Sequence, residues 1–141
     1  MSQSSNLSAD AVQPANEALA YQPEYAMVIV TSASLQTQGM AMVLARAMQE
    51  QGVQLNILLC DGAGDLAIEG YQSEKALAPK GMKPEVLLQH IIEAGAQVAV
   101  CALYLPNSTY QEQDLRKGVS VAQPADIAQM MRNKDSKVFN F

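Results

Sequence analysis

The chain has 141 residues, of which 49% are apolar and 16% are charged, and its formal net charge is −5. That length suits one domain with a continuous core. The acidic balance argues against nucleic acid as a partner, because phosphate binding needs clustered Lys and Arg. No run of the sequence reaches the roughly 18 apolar residues of a membrane helix, so no membrane partner is expected either.

The N-terminal segment, residues 1–24, is rich in Ser, Gln, Asn and Ala and contains no Lys or Arg. Without a basic region or an apolar run it resembles neither a secretory signal nor a transit peptide, which predicts a cytoplasmic protein. It offers too little apolar area to offset the entropy of ordering. We therefore predict two parts, a disordered polar tail over 1–24 and a folded domain over 25–141.

The folded part alternates between strand-like and helix-like patterns. Apolar, β-branched runs predict strands at 25–31, 53–60, 97–102, 119–121 and 137–141. Helical spacing of apolar residues predicts helices near 38–51, 84–94 and 124–132. Strands that alternate with helices predict an α/β domain with a mostly parallel sheet of about five strands, covered on both faces.

Within the first helix the large apolar residues recur at helical spacing, which predicts the buried face: Met40, Val43, Leu44, Ala47 and Met48. The pair Met40 and Met42 could suggest a soft-metal site. Ordinary filling of the core explains methionines at this spacing better.

In parallel α/β sheets the working crevice lies beyond the carboxyl ends of the strands, here residues 31–38, 60–65 and 101–108. Cys101 ends the third predicted strand, where helix N-termini can favour a reactive thiolate; the alternative is a small apolar core residue. Cys60 ends the second strand after apolar neighbours, and we expect it to be structural. With the first strand between them, the two would lie roughly 10 Å apart, too far for a disulfide. In a reducing cytosol both are expected to be free thiols.

Other polar residues near these loops have ordinary explanations. Asp61 is expected to start a turn and Asp65 to cap a short helix, because no glycine-rich nucleotide motif accompanies them. Three hydroxyl residues could bind an anion or cap the first helix, and both interpretations stay open: Ser32, Ser34 and Thr37. A lone His90 is expected at the surface, since it cannot form a zinc site or a triad by itself. Neither a metal nor an organic cofactor is predicted.

From Tyr25 onward the sequence resembles the DsrE/DsrF-like family, which includes the sulfur-relay subunits called Tus. The resemblance rests on five stretches in order: 28–30, 59–67, 80–84, 95–101 and 115–119. It implies a small Rossmann-like, three-layer α/β fold, assembly as trimers or hexamers, and a persulfide carried on Cys101. The loop over 102–107 differs from those of the dedicated relay subunits, which favours a stand-alone member.

The leading hypothesis is a thiol-based sulfur carrier in which Cys101 accepts a persulfide from a donor and passes it to an acceptor thiol. Any activity would be sulfurtransferase-like, and the partners would be a donor or acceptor protein and further copies of the chain. The rival hypothesis is a non-catalytic oligomeric domain that binds a small anion or a protein partner in the same crevice.

Overall fold

The computed structural model describes residues 24–141, so the predicted tail lies, apart from Glu24, outside the described residues. The strands are β1 Tyr25–Val30, β2 Gln54–Leu59, β3 Gln97–Val100, β4 Val119–Val121 and β5 Ser136–Asn140. The helices are α1 Leu35–Glu50, α2 Pro84–Glu93 and α3 Pro124–Arg132. Three 3-10 segments complete the fold, at Asp61–Ala67, Leu105–Asn107 and Glu112–Asp114. The five predicted strands and three predicted helices are confirmed.

The five strands form one sheet in the order β4-β3-β2-β1-β5, and every neighbouring pair is parallel. Each of the first three strands thus lies beside the next one in the chain. Right-handed crossovers in one direction place their helices on one face, and α1 and α2 pack against each other there. Helix α3 returns the chain from edge strand β4 to edge strand β5 and covers the opposite face.

The main core lies between the sheet and the α1–α2 layer. Side chains of successive strand residues alternate between the two faces, and the members of one set are almost completely buried. On the strands this set comprises Ala26, Val28, Val30, Leu55, Ile57, Leu59, Val98 and Val100. The helices contribute Ala41, Met42, Ala45, Leu88 and Ile91 to the same cluster. Each buried Val, Leu or Ile contributes about 1.5–3 kcal/mol, so this layer supplies most of the driving force for folding.

The prediction for the buried face of α1 is wrong in part. Met40, Val43 and Leu44 are 51%, 42% and 42% exposed, respectively. The face that packs inward is instead formed by small residues and Met42, with Gln38 at its start. Gly39 lies so close to Leu77 and Met82 that an added Cβ would be 2.5 Å from the Leu77 side chain. Helix α1 has two apolar stripes, and the one with smaller side chains permits the close approach.

A buried carboxylate anchors the segment that precedes α2. Glu85, in the first turn of α2, accepts hydrogen bonds from the Ser73 backbone N–H at 2.8 Å and from the Ser73 hydroxyl. Burial by itself raises the pKa of Glu85, but these hydrogen bonds and the charge of Lys83 outweigh it, and the net pKa is lowered. Glu85 therefore stays ionised and fixes the 73–85 region. Within residues 24–141 no helix is both long and apolar enough to cross a bilayer.

A paired-cysteine crevice as candidate functional site

The loops that follow β1 and β2 meet at the carboxyl edge of the sheet, as the topology predicts. The buried amide of Gln38 donates to the Ser32 carbonyl at 2.8 Å and to the Gly62 carbonyl at 3.3 Å, which joins the two loops. Gly62 lies against Ala33, whose backbone nitrogen would be 2.7 Å from an added Cβ. Glycine is therefore required for this contact.

Cys60 and Cys101 lie side by side at this edge. In the ladder between β2 and β3, Leu59 pairs with Val100, and the Cys101 N–H donates to the Leu59 carbonyl at 2.9 Å. The next residue on each strand is a cysteine, and both follow the alternation onto the face that α3 covers. Their Cα atoms are 5.3 Å apart and their sulfurs form a disulfide.

The predicted separation of roughly 10 Å, and with it the expectation of two free thiols, is wrong. That prediction placed the first strand between the cysteines, whereas β2 and β3 are direct neighbours. A Cα separation of 5.3 Å is within the range that a disulfide spans. The pair is therefore a redox-competent unit, and either sulfur can reach the other.

A tyrosine fixes the two cysteine-bearing loops against each other. Tyr104, three residues after Cys101, is buried, and its hydroxyl donates to Asp65 Oδ1 at 2.5 Å. Its ring covers Gly64, where an added Cβ would be 2.1 Å from two ring carbons. Burial, followed by the hydrogen bond to Asp65 and its charge, raises the pKa of Tyr104 far above the usual value for tyrosine, so the hydroxyl remains a donor. Asp65 lies inside a 3-10 segment and binds Tyr104, so the prediction that it caps a following helix is wrong.

Arg116 holds the far end of the loop after β2. Its buried guanidinium donates to the carbonyls of Leu66 at 3.1 Å and Ile68 at 3.4 Å, and to the side chain of Gln89 at 3.2 Å. The Arg116 backbone N–H adds a bond to the Ala67 carbonyl at 2.8 Å. Sequence reasoning gave this residue no role, although it lies in the family-like stretch 115–119.

An open, apolar depression of about 300 Å³ reaches Cys101 from the α3 side of the sheet. Its lining residues are Leu58, Cys101, Ala102, Leu103, Ala122, Pro124, Ile127, Ala128 and Met131. None of them carries a charge, and Leu103 and Met131 at the rim are 72% and 50% exposed. A larger depression of about 500 Å³ lies at the amino ends of the strands, lined by Gln54 and Gln97 among others, but contains no thiol. The site that can do covalent chemistry is therefore the one beside Cys101.

The remaining predicted site residues have local roles. Ser34 caps α1 by accepting from the Thr37 N–H at 3.3 Å, and Ser32 accepts from the Ser34 N–H at 3.0 Å, which favours capping over anion binding. His90 is exposed on α2. The Ser108 hydroxyl, in the loop after Cys101, donates to the Leu105 carbonyl at 3.0 Å. Among residues 24–141, no three His, Cys, Asp or Glu side chains are grouped as a metal site would require.

The fold is similar to that in the crystal structure of the ychN protein from E. coli. The TM-score is 0.66 at 20% sequence identity, and the match covers 86% of this chain and 100% of that one. No protein-family model matches the sequence, and no curated protein matches it. The comparison therefore shows a shared Rossmann-like α/β fold with a five-stranded parallel sheet.

Proposed function

We propose that the chain is a stand-alone sulfur carrier of the DsrE/DsrF-like family, with Cys101 as the residue that accepts a persulfide. The observation that carries this proposal is the position of Cys101, at the carboxyl end of β3 and in the wall of an open apolar depression. The fold shared with the ychN protein supports it, as do the family-like stretches that surround both cysteines.

The proposed reaction is two thiol exchanges on one sulfur. The Cys101 thiolate attacks the outer sulfur of a donor persulfide, the donor thiolate leaves, and Cys101 becomes a persulfide. An acceptor thiolate then attacks that same outer sulfur, and the Cys101 thiolate leaves. The first step requires Cys101 as a free thiolate, which the proposed thiol-reducing cytoplasm would supply, and neither step draws on a metal or an organic cofactor.

The walls of the depression favour a protein as donor or acceptor. A small anion would need a basic group or a polar side chain aimed at it, and every lining side chain other than the Cys101 thiol is hydrocarbon or thioether. The exposed Leu103 and Met131 offer a partner two apolar contacts beside the sulfur. The rival hypothesis, a partner-binding domain without chemistry, uses this same surface, so only the reactivity of Cys101 separates the two.

Assembly into a homo-oligomer, a trimer or a hexamer, is part of the proposal. The exposed stripe of α1, formed by Met40, Val43 and Leu44, is an apolar surface of the kind that interfaces cover. It lies on the α1–α2 side of the sheet, opposite the depression beside Cys101. Contact between copies through this stripe would leave the cysteine crevice open.

The test is to map the sulfur on reduced protein. After brief treatment with glutathione persulfide, intact-mass analysis should show an adduct of about 32 Da, one sulfur atom. Peptide mapping of the Cys60→Ser variant should place it on Cys101, and Cys101→Ser should abolish it. Iodoacetamide should alkylate Cys101 faster than glutathione at neutral pH. An adduct that persists undiminished in Cys101→Ser, or a Cys101 that does not react with iodoacetamide, would contradict the carrier proposal. The rival hypothesis, a partner-binding domain without chemistry, would then be favoured.

A further inference from the structure

We propose that Cys60 is the resolving thiol of this carrier: it attacks the Cys101 persulfide, expels hydrosulfide and closes the Cys60–Cys101 disulfide. The inference rests on the proposed function of Cys101. It adds a second reactive residue and a second product. The sulfur then leaves as hydrosulfide in addition to, or in place of, transfer to an acceptor thiol.

Geometry supplies the first argument. Backbone pairing puts Cys60 and Cys101 on neighbouring strands, in register and on the same face, with their Cα atoms 5.3 Å apart. The sulfur that Cys60 contacts is Cys101 Sγ, which is the inner sulfur of a persulfide formed there. The disulfide in the structure is thus the product expected when Cys60 attacks the inner sulfur.

The step balances without any further reactant. The Cys60 thiolate forms a bond to Cys101 Sγ, the bond between Sγ and the outer sulfur breaks, and the outer sulfur leaves as HS⁻ with the proton it carried. The two cysteine sulfurs are oxidised to the disulfide, and the outer sulfur is reduced to sulfide. Hydrosulfide is a weaker base than a cysteine thiolate, and the weaker base is the better leaving group in such exchanges.

Rigidity of the two loops supplies the second argument. The Tyr104 hydroxyl joins the loop after β3 to the loop after β2 through Asp65, and Gln38 joins the latter loop to the one after β1. The two thiols are therefore held together after reduction as well. A thiol held at its target reacts as if it were far more concentrated than a free thiol in solution.

The cycle closes with a dithiol reductant. A thioredoxin-like dithiol protein, or dithiothreitol in the test tube, reduces the Cys60–Cys101 disulfide and restores both thiols. Without it the protein should release one hydrosulfide per chain and stop. The open depression beside the half-buried Cys101 gives such a reductant an approach to that residue.

The experiment follows hydrosulfide and protein mass together. Reduced, desalted wild-type protein and the Cys60→Ser and Cys101→Ser variants are each treated with glutathione persulfide, after circular dichroism has confirmed that each is folded. In the wild type, the adduct of about 32 Da should rise and decay into a species about 2 Da lighter than the reduced protein, while about one equivalent of hydrosulfide appears. In Cys60→Ser, the adduct should persist and hydrosulfide release should slow by at least about 100-fold.

Each outcome has one meaning. If wild type and Cys60→Ser keep the adduct equally long and release hydrosulfide equally slowly, the resolving role is wrong and the carrier role stands. If Cys101→Ser keeps the adduct, the carrier proposal fails first. Wild-type protein oxidised with hydrogen peroxide is the matched control, because it should form the same disulfide without hydrosulfide. A glutathione adduct in place of the disulfide would also overturn the inference.

Discussion

The hydrogen bond between Tyr104 and Asp65 can be removed by deleting a single oxygen atom. Tyr104→Phe keeps the ring over Gly64 and deletes only the hydroxyl that donates to Asp65 Oδ1 at 2.5 Å. A hydrogen bond to a charged group contributes about 1.5–3 kcal/mol. Asp65 is exposed and regains water after the change. We therefore expect the lower end, a loss of about 1–2 kcal/mol in the free energy of unfolding.

The pH dependence gives the same prediction a second readout. The folded pKa of Tyr104 is raised, so its contribution is fully present below the unfolded tyrosine pKa of about 10 and is lost as pH rises above it. Denaturant unfolding of the reduced protein at pH 7 and above pH 10 should therefore show the difference between wild type and Tyr104→Phe shrinking. Tyr71, whose pKa is also raised, is present in both proteins and its contribution largely cancels.

Tyr25→Phe is the matched control. Tyr25 lies at the amino end of β1, whereas the cysteines lie at the carboxyl ends of the strands. The same substitution there should change the free energy of unfolding by less than about 0.5 kcal/mol. Equal losses in the two variants, or a loss for Tyr104→Phe that does not change above pH 10, would refute the argument that this bond joins the loops.

Three further predictions concern a glycine under the Tyr104 ring, the buried Glu85 carboxylate and the exposed stripe of α1. Gly64→Ala should lower the free energy of unfolding by about 1–3 kcal/mol in denaturant titrations, because its Cβ would be 2.1 Å from the Tyr104 ring. Glu85→Gln should destabilise the protein at neutral pH. Because the folded pKa of Glu85 is lowered, unfolding curves should show that difference fading as pH falls below the unfolded glutamate pKa of about 4.3. Leu44→Asp should reduce the mass measured by light scattering to that of one chain, and an unchanged mass would exclude the α1 stripe as the interface.

Periodicity was sufficient to predict the elements and the edge of the sheet where the candidate site lies. Buried strands appear in the sequence as continuous apolar runs, and helices appear as apolar residues repeated at helical spacing. Both patterns are local. The carboxyl-edge rule then selected the loops that contain Cys60 and Cys101 without any knowledge of strand order. Helix α1 begins at Leu35, three residues earlier than predicted, because Ser34 supplies an N-cap.

Strand order could not be predicted in this way, because no local pattern states in which direction each crossover moves across the sheet. The apolar pattern is the same whether β3 joins β2 or β1, yet only one arrangement brings Cys60 and Cys101 together. The prediction of the inward face of α1 was wrong for a related reason. Large side chains at helical spacing, such as Leu44, mark an apolar stripe, but they do not say whether the sheet or another surface covers it.

A transient Cys60–Cys101 bond fits the proposed carrier better than a structural one, although the disulfide closes a long loop. Cys60 and Cys101 are 41 residues apart, and closing a loop of that length stabilises the folded state by about 4 kcal/mol in the chain-entropy model. A protein that depended on this stabilisation would need an oxidising compartment, whereas disulfides in the reducing cytoplasm proposed for this protein are usually catalytic or redox-sensing. A purely structural bond would also gain nothing from an open apolar surface beside Cys101. In the proposed cycle both features have a use, because Cys101 exchanges sulfur with partners at the open surface and the neighbouring thiol completes the reaction.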